Sequence, residues 1–150
     1  MLDAVIEDEK FARLMQKNIQ DLVIHFFASE QNFGILCKIS DVYFEPELPK
    51  EINDEFRQLT LFFLAGYTFD TARIVENNLV FEAGFGADNF GSVVTVPLLS
   101  ILQVIIDETP VLINLSNYKK EIKKEVKIDE DGVENSMASF LSNPENSKFF

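Results

Sequence analysis

Between residues 7 and 31, Phe11, Leu14, Met15, Ile19, Leu22, Val23, Phe26 and Phe27 recur at spacings of three and four. That period places them on one face of a helix. Asp8 and Glu9 occupy its first turn, where the helix dipole favours negative charge, and Gly34 follows its expected end. The helix is long for so small a domain. Its apolar stripe either caps the chain's own sheet or is buried by a symmetric partner.

The pattern then shortens to the period of strands. Residues 35–39 read as a strand, and Val42, Phe44 and Leu48 continue an extended path through Pro46 and Pro49, which bar central ladder pairing. Residues 49–56 read as a loop or one helical turn. In 57–65, Leu59, Leu61 and Phe63 share one face and Thr60, Phe62 and Leu64 the other, which predicts a central strand. After Gly66, residues 67–75 alternate as the next strand, and Asn77 and Asn78 make a turn. A third strand over 78–85 would complete a meander. Residues 86–91 read as a loop and 93–96 as a strand. Pro97 suits the first position of a helix, and the segment to Ile106 is apolar on nearly every side, which predicts a short buried helix. Residues 107–110 end it, and 111–115 form a last strand.

The strand over 78–85 organises the rest. Leu79, Phe81, Ala83 and Phe85 share a face, because side chains in a strand alternate with period two. Ala83 sets one methyl among three large side chains. The resulting depression is either filled by a bulky neighbour or forms a groove for another chain.

With 150 residues, 47% of them hydrophobic, the chain supports one domain with one core, and an α+β fold that is mainly β follows from the elements above. That domain is 1–116. From Ser116 onward the chain is Lys-rich, then acidic, then rich in Ser, Asn, Gly and Pro, so 117–150 is expected as a flexible tail. It carries Met137, Phe140 and Leu141 and ends in Lys148, Phe149 and Phe150. Apolar residues spaced in this way suit a docking segment, although chance or a helix packing back on the domain produces the same pattern. The 15 Phe, against 3 Tyr and no Trp, belong either to an aromatic core or to a partner surface.

Charge narrows the partners. A formal charge of -12 repels phosphate backbones and anionic bilayers, which argues against nucleic acid and membrane partners. The apolar runs are too short to span a bilayer, no secretory leader opens the chain, and the lone Cys37 cannot form an internal disulfide. A reduced, cytoplasmic protein is expected.

No phosphate-binding loop, metal-ligand cluster or nucleophile paired with a base stands out, so neither cofactor nor catalysis is expected. His25 lies at the edge of the helical stripe and Cys37 in an apolar segment. Both read as packing residues. Asp70 and Asp107 read as strand-face and helix-end residues.

The run Phe81-Glu82-Ala83-Gly84-Phe85-Gly86, then a loop, a strand, Val96-Pro97-Leu98 and the apolar segment to Ile106 resembles the SspB family of bacterial proteolytic adaptors. The two expected strands before this run and the leading helix also suit that family. The resemblance covers roughly residues 35–116, with the first helix matched by position. It implies a β-sandwich related to Sm-like folds, with an N-terminal helix that helps form a homodimer. It further implies a groove for a degradation tag such as the ssrA tag, lined by the strand bearing the small residue of Phe-x-Ala-x-Phe. The matching position is Ala83, with Phe81, Phe85, Leu61 and Phe63 as walls or floor. The family's tail docks on the ClpX unfoldase of ClpXP, and here the matching residues are Lys148, Phe149 and Phe150, or Phe140 and Leu141. Such an adaptor acts by tethering, which raises local substrate concentration without chemistry. The alternative is a hot-dog-type acyl-thioester-binding protein or thioesterase, a fold in which the sheet wraps a long helix that follows a strand.

Overall fold

A short helix α1 (Leu2–Ile6) and a long helix α2 (Glu9–Ala28) precede every strand of the computed structural model, which describes residues 1–117. Asp8 caps α2, with Oδ2 accepting the Phe11 N–H at 3.1 Å. Ala12, Ile19, Val23 and Phe26 form its buried stripe, whereas Leu14 and Ile24 face outward. The helix stops at Ser29, and Glu30 makes the left-handed turn at φ 56°. Gly34, expected as the stop, lies inside the first strand.

Among the described residues, eight strands form two antiparallel sheets of four. In the first, β3 (Leu59–Leu64), β1 (Phe33–Lys38), β7 (Ile101–Ile106) and β8 (Thr109–Ile113) lie in that order. In the second the order is β2 (Tyr43–Glu45), β6 (Phe90–Pro97), β5 (Asn78–Phe85) and β4 (Arg73–Val75). A single turn of helix, α3 (Lys50–Asn53), follows β2, and another, α4 (Tyr67–Thr71), follows β3. One apolar cluster joins the layers. Ile19, Val23 and Phe26 of α2 meet Ile35, Leu64 and Val104 of the first sheet and Leu79, Phe81, Val94 and Val96 of the second.

Three expectations are corrected. The strand β3 is an edge rather than a central strand: Phe62 and Leu64 are buried, but Leu59, Leu61 and Phe63 stay exposed on the outer face. Residues 67–71 are helical, because the Asp70 N–H reaches Gly66 O, and Thr68 Oγ1 accepts the Ala65 N–H and donates to the Phe63 carbonyl. These local bonds replace a ladder. With β3 and β5 in different sheets, there is no meander. Residues 98–106 are a 3-10 turn (Leu98–Ser100) and strand β7, not a helix. A six-residue run apolar on both sides suits an inner strand as well as a buried helix, and Ile101, Val104, Ile105 and Ile106 are β-branched. Asp107 and Glu108, both at positive φ, close the β7–β8 hairpin, so Asp107 is a turn residue and Asp70 a helical one.

Among the described residues, most of the Phe side chains lie in or against the core. Phe44, Phe56, Phe62, Phe81 and Phe85 form one ring cluster, which crosses between the sheets where Phe62 and Phe81 lie 5.7 Å apart. Phe26, Phe27, Phe33 and Phe69 form a second beneath α2. The clearest exception is Phe63, at 65% exposure.

Candidate functional site: a groove at the open edge of β5

The register of the second sheet sets Glu82 beside Val93 and Gly84 beside Gly91, and Val93 pairs on its other side with Glu45 of β2. Alternation turns these residues outward and leaves Ala83 and Ser92 between them facing inward. Ala83 accordingly packs against the core, and Ser92 is buried with Oγ donating to Pro46 O at 2.9 Å. Over this face lies an open groove of about 650 Å³. Its walls come from Glu45 and Pro46 at the end of β2, from Asn89 in the β5–β6 turn, and from Tyr67 and Thr68 of α4.

Two glycines leave the floor without side chains of its own. Gly91 has open space where a Cβ would stand, and a Cβ on Gly84 would collide with Oδ1 of Asn89. Asn89, at φ 53°, therefore leans its carboxamide over the glycine shelf.

The same strand carries an unfilled edge. β4 pairs with β5 only from Asn78 to Val80. Two residues on, the Glu82 N–H donates to Thr71 Oγ1 at 2.9 Å, so α4 closes the edge there. At Gly84, the next residue directed to that side, no hydrogen bond is formed among the described residues. A strand edge ending in free N–H and C=O groups is a template for another extended chain.

The groove is electrically one-sided. Glu45 and Glu82 supply carboxylates, and no Lys or Arg lines it among the described residues. Tyr67 O–H donates to Glu82 Oε1 at 2.6 Å. That hydrogen bond, then the carboxylate charge, and least the desolvation, raise the phenol above its ordinary value, so it stays a protonated donor.

The expected site residues separate. Ala83 lines this groove, but Phe81 is 1% exposed within the core and Phe85 is half-buried against Phe44, Phe56 and Phe62. Leu61 and Phe63 lie on the outer face of the other sheet, where the Phe63 ring covers Gly34. Phe140, Leu141, Lys148, Phe149 and Phe150 lie outside the described residues. Tyr67, Glu82, Gly84, Asn89 and Gly91 were not expected as site residues from the sequence. Their signal was the Glu82, Gly84 alternation on the face opposite Phe81 and Phe85, read only from its apolar side.

Other reactive groups are quiet. Cys37 is buried, its thiol pushed up to about 12 by burial and then by the Asp41 charge, with Sγ 3.7 Å from Thr60 O. His25 is exposed in the last turn of α2. Among the described residues no group of His, Cys, Asp and Glu could hold a metal ion, and no helix is long and apolar enough to cross a membrane. Comparisons with protein-family models, with curated proteins and with solved structures found no match for this chain.

Proposed function

We propose that this protein is a non-enzymatic adaptor that holds a short extended peptide in the groove over Gly84 and Gly91. The observation that carries the reading is the coincidence of a glycine floor with an edge of β5 at Gly84 that no described strand pairs. Main-chain hydrogen bonds from such an edge supply affinity for an extended segment, and the walls select its side chains. Following the resemblance to SspB, the peptide is a degradation tag and the chain is a cytoplasmic homodimer. Residues beyond Asn117 then tether the tagged substrate to the ClpX unfoldase. Two tethers raise the local substrate concentration to order mM, so the adaptor needs no chemistry of its own.

The test is binding of fluorescent tag peptides by anisotropy to the full-length protein and to Gly91→Val. The new side chain enters open space, and valine is favoured in strands, so the fold survives. The expected result is saturable binding that the variant loses, with its thermal unfolding unchanged. Binding of equal affinity by the variant overturns the groove. Binding by a protein cut after Asn117, with loss of unfoldase-dependent degradation, is the expected division between groove and tether.

A further inference from the structure

We infer that the peptide held in this groove carries a basic side chain, lysine or arginine, seated on Val93 between Glu82 and Glu45. The inference rests on the peptide-binding reading and adds the chemical class of its ligand.

The three residues stand in one row across three adjacent strands, Glu82 on β5, Val93 on β6 and Glu45 on β2, each paired in register with the next. Neighbouring strands lie about 4.8 Å apart, so the two carboxylates rise on either side of the valine with about 10 Å between their Cα atoms. This row has the form of a basic side chain's complement. A lysine or arginine lays its methylene stem on an apolar surface and keeps its charged head at a polar rim. Val93, half-buried, offers that surface, and the carboxylates offer the rim.

Among the described residues, neither carboxylate takes part in a salt bridge. Arg13 pairs with Glu9, Lys17 with Asp21 and Lys50 with Asp54, and none of these residues lines the groove. Among the described residues, the Glu82 carboxylate accepts one hydrogen bond, from Tyr67 at Oε1, which leaves Oε2 to a ligand. The Tyr67 bond also fixes the direction of Glu82, so less of its rotamer entropy is lost on pairing with a ligand. Field and geometry agree. Residues 1–117 hold 18 Asp and Glu against 7 Lys and Arg, a formal charge of -11. A cationic segment is drawn to that surface and an acidic one repelled.

The probe is a set of fluorescent, acetylated and amidated heptapeptide pools. Their central residue is fixed as Lys, Arg, Gln or Glu, the other positions are degenerate, and binding is measured to the full-length protein. The Lys and Arg pools should bind about tenfold more tightly than the Glu pool, with the Gln pool between. In the double variant Glu45→Gln, Glu82→Gln, which keeps an acceptor for Tyr67, this order should collapse to the level of the Gln pool. High salt should shrink it in the wild type. Equal or tighter binding of the Glu pool, still lost in Gly91→Val, overturns the inference and leaves the groove standing. A basic preference that survives the double variant overturns the assignment to these two residues. No binding by any pool removes the peptide groove itself, and the inference with it.

Discussion

Cys37 shows how environment decides what a residue can do. Read in the sequence it is a free thiol in an apolar run, and in the fold it is fully buried beside the Asp41 charge. Both effects disfavour the thiolate, so its reactivity is suppressed. Iodoacetamide at about pH 8 should leave native Cys37 unmodified and alkylate it once the chain is unfolded, as mass spectrometry would report. Linkage has a definite sign here. The unfolded chain releases the proton near 9.0 and the folded chain near 12, so stability is full below 9.0 and falls as pH rises through that window. The slope attributable to this thiol is at most about 1.4 kcal/mol per pH unit, and it should be absent in Cys37→Ala when urea unfolding is compared between the two proteins. Ala83 teaches the complementary lesson. Its methyl packs against the core, while on the opposite face Gly91 leaves open space in the groove and Gly84 gives room to the Asn89 carboxamide.

At the scale of elements, β3 is a strand with two different faces despite its uniform apolarity. Phe62 sits in the aromatic cluster between the sheets, and its neighbour Phe63 lies on the outer surface with a ring carbon 3.3 Å from where a Cβ on Gly34 would stand. Truncating Phe62 to Ala should cost about 3–5 kcal/mol, the range for a large aromatic removed from a core. Phe63→Thr should cost about 0.5–1 kcal/mol, since a cross-strand contact is lost and a β-favouring residue takes its place. Urea denaturation of the two variants checks the register directly, because a slip by one residue would exchange the two costs. The segment 98–106 shows why pattern alone misassigned an element. Apolarity on every side is common to a buried helix and an inner strand, and only the pairing of β7 with β1 and β8 separates them.

At the scale of the whole molecule, α1 and α2 leave Leu2, Val5, Leu14 and Ile24 exposed while the inner stripe of α2 closes the core. If the proposed homodimer buries this surface, sedimentation should give twice the chain mass. Its dimer fraction should rise with salt, because screening weakens repulsion between two chains of charge -12. Leu14→Lys, at a position 61% exposed, should give a folded monomer with unchanged circular dichroism. The sequence by itself determined the long helix, the strands near 35–39 and 78–85 and the acidic balance, because each is a local matter of period, composition or charge. It also singled out the strand over 78–85, but the face it marked with Ala83 packs inward and the groove lies over the other face. Only the tertiary structure decided that β3 and β5 belong to different sheets, that 67–71 is helical, and that Glu45, Val93 and Glu82 form one row. Those outcomes depend on which strands pair and in what register, and pairing between residues dozens of positions apart leaves no periodic trace along the chain.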